Sequence, residues 1–292
     1  MKNEKIIQAG KIASQVKEYA KSFIEPDMPL LQIAELIEEK IFELGGKPAF
    51  PTNLSINEIA AHYTPGYEDK NLAKGLLKVD LGVHVDGWTA DTAFSIDLEN
   101  SEENKKLIET AELALANAEK EFAIGKTTSE IGKIIEETIE SKGLSPIINL
   151  SGHSMENYDL HAGITIPNID DRKNIEIEKG LYAIEPFTTN GAGKVGDGKP
   201  SGIYALMNER NTRSELARDV LDYILEEYRT LPFCSRWLVK KFGTKALIAL
   251  KQLEEQEILH QFAQLVEVSK SKVAQAENTV LVEKDSKIIT TK

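Results

Sequence analysis

The chain has 292 residues, 41% hydrophobic and 28% charged, so it can bury a sizeable core. Its 47 acidic residues exceed its 35 basic residues and give a formal net charge of −12. This charge argues against nucleic acid as a direct partner, because phosphate binding needs a cationic surface. No apolar run is long enough for a transmembrane helix or a signal peptide. The single cysteine, Cys234, excludes internal disulfides and thiolate metal clusters and fits a reducing cytosol, so we expect a cytoplasmic protein without a membrane partner.

Apolar periodicity predicts most secondary-structure elements. In chain order we expect two helices within residues 1–45, a strand-like segment at 50–65, a β-hairpin at 78–94, helices at 101–122 and 128–142, and short strands near 146–153, 181–188 and 202–207. Residues 213–268 show no strand alternation, and the pattern predicts helix there, including 258–266. This order of predicted helices and strands indicates an α+β fold with a helical insertion before its last strand.

The predicted hairpin carries two aspartates, Asp80 and Asp91, in the segment KVDLGVHVDGWTADTAF. The dipeptide of Asp86 and Gly87 favours a tight turn, and a turn centred there places residue 82 opposite Asp91. Asp80 then shares a sheet face with Asp91 as its diagonal neighbour. Two carboxylates among apolar side chains repel each other unless cations lie between them, so the pattern favours a metal site. Taken alone, the hairpin favours two aspartates on a solvent-exposed face, because aspartate is mostly exposed in proteins.

Further candidate metal ligands follow along the chain. His153 and His161 flank a loop bounded by glycines, Glu185 ends an apolar strand before a proline, and Glu277 begins the last strand. Each has an ordinary explanation by itself, as a surface histidine or a solvated strand end. Together with the hairpin they supply four carboxylates and an imidazole, a hard ligand set that suits a pair of divalent ions such as Co, Mn, Fe or Zn.

The order of Asp80, Asp91, His153, Glu185 and Glu277 resembles the five-ligand signature of the pita-bread metallopeptidases. Three stretches resemble the type II methionine aminopeptidases of archaeal kind: FPTNLSINEIAAHYTP at 50–65, GHSMENYDLHAG at 152–163 and AQAENT at 274–279. The resemblance implies a pita-bread fold, a curved antiparallel sheet with outer helices. It divides the chain into a catalytic domain at 1–190 and 269–292 and a helical, winged-helix-like insertion at 191–268. One departure is Asn278, where many relatives have a histidine that is not a ligand.

The resemblance also implies an activity, the removal of the N-terminal methionine from polypeptides whose second residue is small. The attacking hydroxide would be activated by two divalent ions. It implies that Asp80, Asp91, His153, Glu185 and Glu277 bind the metals, and that Glu185 relays a proton. His62 and His161 would contact the scissile amide and the developing oxyanion. Phe50 and Leu160 would line the methionine pocket. The implied partners are N-termini of nascent polypeptides at the ribosome, and we expect a monomer.

Two other functions stay open at this point: a proline-directed peptidase of the same fold, and an inactive ribosome-associated homologue. The remaining candidates are predicted to be structural. His84 shares the face of Asp80 but lies beside the turn, so we expect it to be solvated. His260 is predicted to be on the surface, and Cys234 to be a packing residue.

Overall fold

The computed structural model describes residues 2–292. The helices are α1 Lys2–Phe23, α2 Leu30–Glu43, α3 Glu102–Glu121, α4 Thr128–Glu140, α5 Glu215–Glu227, α6 Ser235–Phe242 and α7 Ala246–Glu255. The strands are β1 Lys47–Ile56, β2 Ile59–Ala61, β3 Leu76–Val85, β4 Trp88–Asp97, β5 Ser145–Pro146, β6 Ser151–Met155, β7 Thr165–Pro167, β8 Gly180–Ile184, β9 Phe187–Thr189, β10 Val195–Leu206, β11 Phe233–Cys234, β12 Leu259–Glu267, β13 Val273–Gln275, β14 Asn278–Glu283 and β15 Ser286–Ile289. No helix in this described part of the chain is long and apolar enough to cross a membrane.

The strands form four antiparallel sheets, so the predicted α+β class is confirmed. Their orders are β1-β3-β4, β11-β10-β12-β2, β13-β9-β5 and β15-β14-β8-β6-β7. Backbone hydrogen bonds between Ala93 and Glu277 join β4 to the segment just before β14. This junction brings the hairpin β3–β4 against the five-stranded sheet, although the two are far apart in the sequence.

Two helix pairs cover the two main sheets. Helices α1 and α2 pack on β1, β3 and β4 around a core that includes Val16, Ile37 and Val79. Helices α3 and α4 pack beneath the five-stranded sheet around Leu107, Ile135 and Ile184. Helix α4 begins with a capping box, because Thr127 accepts from the backbone of Glu130 while the Glu130 side chain accepts from the backbone of Thr127.

The predicted helical region 213–268 is confirmed for α5, α6 and α7 but differs at its end. Residues 258–266 were predicted to be helical, but Leu259–Glu267 is a strand that pairs with β10, which makes that prediction wrong. The ladder continues to β2, where Leu265 lies opposite Ala61. Such long-range pairing leaves no local periodic signal, which explains the error. Helices α5, α6 and α7 form their own hydrophobic cluster beside this ladder, and the domain division at residues 190/191 and 268/269 stays a prediction.

Candidate metal centre

The hairpin of β3 and β4 turns at Asp86 and Gly87, whose φ angles are 50° and 82°. Gly82 lies opposite Asp91 and Asp80 lies opposite Ala93, so the predicted register is confirmed. Both aspartates consequently line the same cavity. A Cβ at position 82 would lie 2.3 Å from the ring of Phe50. Glycine opposite Asp91 therefore lets the ring approach the hairpin.

The central position of β8 brings the other three candidate ligands together. His153 on β6 pairs with Ala183 of β8, and Asn278 of β14 pairs with Ile184 of β8. Glu185 directly follows β8 and Glu277 directly precedes β14, so both carboxylates reach the same side of the sheet as the His153 ring.

The five side chains converge closely. His153 Nε2 lies 3.6 Å from Asp91 Oδ2 and 3.7 Å from Glu185 Oε1. One ligand atom each of Asp91, His153 and Glu277 lies within 4.8 Å of the others. The Nε2 of Gln275 donates at 3.3 Å to both Asp80 Oδ2 and Glu277 Oε2. All five residues that the sequence selected as ligands thus border one cavity.

The electrostatics of this cluster call for a cation. Desolvation raises the pKa of Asp80 to about 7. Desolvation, and then repulsion by neighbouring acids, raises the pKa values of Asp91, Glu185 and Glu277 well above the ordinary range. Among the described residues, the buried Asp80 Oδ1 and Asp91 Oδ1 have no hydrogen-bond partner. Buried carboxylates without partners fit hard divalent cations, whose charge would keep them ionised.

His153 is suited to binding a metal in its neutral form. The side chain is only 7% exposed. Burial lowers its pKa to about 3, and the nearby His161 contributes to this shift. A neutral imidazole can donate a nitrogen lone pair to a metal ion, whereas an imidazolium cannot.

A cavity of about 350 Å³ lies beside the carboxylates and contains the other predicted site residues, Phe50, His62, Leu160 and His161. Phe50 and Leu160 are each 7% exposed and belong to one apolar cluster. The ring of His161 lies edge-on to His153, with 4.3 Å between centroids. The His161 side chain is exposed at the cavity, and partial desolvation by the surrounding protein lowers its pKa below the ordinary value.

His62 has a defined tautomer. Its Nδ1 lies 3.3 Å from the carbonyl oxygen of Ala263. Desolvation lowers its pKa to about 4, so the ring is neutral near pH 7. Because a carbonyl oxygen only accepts, Nδ1 carries the proton and Nε2 is left as an acceptor.

Some residues of the site were not predicted. The side chains of Gln275, Phe262 and Leu265 meet the carboxylates or the cavity, and the last two lie on β12, where the sequence predicted a helix. Gln275 could have been found by parity, because it lies two residues before Glu277 in an extended segment.

Three candidates lie apart from the carboxylate cluster. His84 was predicted to be solvated, and this is wrong, since it is 5% exposed. The loop of Tyr158 covers it, with 5.7 Å between the ring centroids. His260 is exposed, as predicted. Cys234 is buried, as predicted, and desolvation raises the pKa of its thiol to about 12, which makes it unreactive.

The fold and the buried carboxylate–imidazole cluster define the class of protein, a metal-dependent hydrolase. Residues 4–284 match the model of Metallopeptidase family M24, and the chain belongs to that family. It is 48% identical over 292 residues to the methionine aminopeptidase of Methanocaldococcus jannaschii, covering 99% of this chain and 98% of that one. The methionine aminopeptidase of Pyrococcus horikoshii is 45% identical over 293 residues, covering 99% of both chains.

Among solved structures, the methionine aminopeptidase of Thermotoga maritima superimposes with a TM-score of 0.72 at 23% identity, over 99% of this chain and 96% of that one. At this identity the likeness concerns the fold alone. It confirms the pita-bread architecture that the sequence motifs implied.

Proposed function

We propose that the chain is a methionine aminopeptidase that removes the N-terminal methionine of nascent polypeptides when the second residue is small. One observation carries the proposal: the carboxylate cluster lies at the side of a largely apolar cavity, in a chain 48% identical to a methionine aminopeptidase. We infer cytoplasmic action as a monomer on chains emerging from the ribosome.

In this proposal Asp80, Asp91, His153, Glu185 and Glu277 would hold two divalent ions, and Asp91 and Glu277 would be the ligands that both ions share. When bound, such ions supply Lewis acidity, which lowers the pKa of water and polarises the scissile carbonyl. The shared roles are supported by the positions of Asp91 and Glu277, which together with His153 each offer a ligand atom within 4.8 Å of the others. The ligand set accepts Co, Mn, Fe or Zn.

Glu185 is proposed to move a proton from the attacking water to the leaving amine. Its side chain is 15% exposed, compared with 5% for Asp91, so it reaches the cavity more openly.

His62 and His161 are proposed to act on the scissile peptide. Because His62 Nδ1 is committed to Ala263, its Nε2 can accept a hydrogen bond from the scissile N–H. His161 faces the same cavity from the opposite loop and is proposed to donate to the developing oxyanion, which is worth ~2–4 kcal/mol at the transition state. Phe50 and Leu160 offer the thioether a dry apolar pocket.

The test is an assay on Met-Gly-Met-Met-type peptides with protein stripped of metal and then titrated with each divalent ion. Activity should be absent in the stripped protein and should return with metal. Efficient release of Met before Lys or Phe would contradict the small-residue rule. The same rule predicts that this chain keeps its own Met1, because Lys2 follows, and intact-mass measurement checks this.

Two outcomes would support the other functions. Cleavage of Xaa-Pro dipeptides in place of Met-Gly peptides would identify a proline-directed peptidase. Absence of bound metal after gentle purification, together with inactivity at every metal concentration, would identify an inactive homologue. The complete ligand set and the acidic charge of the chain favour the aminopeptidase.

A further inference from the structure

The loop between β6 and β7 carries Leu160 and His161 into the cavity. Its tip is a tight turn, in which Glu156 N donates to Asp159 O at 2.8 Å and Asp159 N donates to Glu156 O at 3.1 Å. At its base Ala162 N donates to Ser154 O at 2.8 Å. Tyr158, at the tip, adopts a φ of 57°, a left-handed conformation that a bulky residue keeps only when its surroundings enforce it.

One side of the tip is held by the hairpin that carries the aspartates. Tyr158 N donates to Gly87 O at 2.9 Å, and Asn157 Nδ2 donates to Asp86 O at 2.8 Å. The ring of Tyr158 lies directly on Gly87, since a Cβ there would be 2.2 Å from its Cδ2. The loop tip therefore packs directly on the turn of the hairpin that carries Asp80 and Asp91.

The other side is held by the connector after α5. The guanidinium carbon of Arg229 lies 4.2 Å from the centroid of the Tyr158 ring, a cation–π geometry. The neighbouring Thr230 donates its hydroxyl proton to the carbonyl oxygen of Tyr158. Pro232, two residues further on, lines the cavity itself. This short segment therefore connects the predicted insertion to the loop tip, while Phe262 and Leu265 of the same insertion line the cavity directly.

We propose that the insertion acts in catalysis as a clamp, in which Arg229 and Thr230 are positioning residues that hold His161 in place through Tyr158. The hairpin fixes the metal ligands and the loop tip together, and the connector closes on the tip from the opposite side. Release of Tyr158 would let its backbone leave the left-handed region, which would move His161, three residues away, relative to the carboxylates. This inference rests on the proposed aminopeptidase function.

The test compares Arg229→Ala with Arg229→Lys, which keeps a cation over the ring, and with Arg218→Ala, an exposed arginine on α5. In the metal-loaded protein we expect Arg229→Ala to lower kcat about ten- to a hundredfold, because small displacements of a catalytic group are costly. KM and metal content should stay near those of the unchanged protein. Arg229→Lys should recover most of the activity, and Arg218→Ala should match the unchanged protein.

Two further measurements distinguish positioning from general stability. Amide hydrogen exchange should become faster within residues 156–162 in Arg229→Ala and also in Thr230→Val, without a change in the five-stranded sheet. In a His161→Ala background, Arg229→Ala should cost almost nothing more in kcat, because the two changes act through one group.

The clamp would be overturned if amide exchange within residues 156–162 were unchanged in Arg229→Ala and Thr230→Val. It would also be overturned if Arg229→Ala lowered kcat equally in the unchanged protein and in the His161→Ala background. If the unchanged protein fails to cleave methionyl peptides, the proposed function fails, while the exchange measurement still decides whether Arg229 and Thr230 hold the loop.

Discussion

Gln275 donates its side-chain amide to Asp80 at 3.3 Å, although the two residues are 195 positions apart in the chain. The same Nε2 lies 3.3 Å from an oxygen of Glu277. One neutral amide therefore orients two predicted metal ligands from distant parts of the chain, a role that supporting residues commonly have in metal sites.

Gln275→Leu should weaken metal affinity about ten- to a hundredfold, because Asp80 and Glu277 would lose their common donor. Leucine has a similar volume, so the fold should survive. Titration calorimetry with Mn²⁺ measures the change, and Gln256→Leu, at an exposed helix end, is the matched control. Equal affinities for the two variants would remove Gln275 from the site.

Asp91→Ala should abolish activity and metal binding together, because Asp91 contacts His153 and lies among the other acids. Elemental analysis of the purified variant checks the metal content. Asp285→Ala, in the exposed turn after β14, should keep both properties. A folded Asp91→Ala protein with two tightly bound ions would contradict the bridging assignment.

His161→Ala should lower kcat at least about a hundredfold with metal still bound, since it removes a transition-state donor and no metal ligand. His153→Ala is the contrasting variant, in which the loss of a buried ligand should reduce metal affinity. Kinetics and elemental analysis on both proteins decide the matter. Metal loss in His161→Ala with retention in His153→Ala would reverse the two roles.

The metal-free protein should lose stability as the pH rises from about 6.5 to about 8, because acids with raised pKa values bind more protons in the folded state than in the unfolded state. Asp80 has a folded pKa of about 7, and those of Asp91, Glu185 and Glu277 are also raised. In this pH range the unfolded state has already released these protons, whereas the folded state still binds them. Raising the pH therefore favours the unfolded state.

The window lies outside the pH ranges in which His62, His153 and Lys17 change stability with the opposite sign. His62 and His153 have lowered pKa values, so they affect stability below about pH 6.5, their unfolded value. Lys17, lowered to about 8, acts above the window. In thermal melts with chelator, Tm should fall as the pH rises from about 6.5 to about 8. Added Mn²⁺ should raise Tm more at about pH 8 than at about pH 6.5. A chelated Tm that rises with pH, or a smaller gain from metal at high pH, would contradict the linkage.

The sequence by itself determined the hairpin and selected the five residues that are predicted to bind metal. The turn at Asp86 and Gly87 and the alternation around it fix which face Asp80 and Asp91 share, because strand parity is a local property. The helices α1 to α4 follow from their own periodicity and caps for the same reason. The motifs around His153 and Glu277 identified the family without any structure.

Only the tertiary structure decided how distant segments meet. The strand β12 forms because β10 and β2 lie beside it, and no local pattern reports such partners. His84 is buried because the loop of Tyr158 lies over it. The support of Asp80 by Gln275 and the contact of Arg229 with Tyr158 likewise join residues far apart in the sequence. Such contacts depend on the packing of the whole chain, which the order of residue types within one segment does not contain.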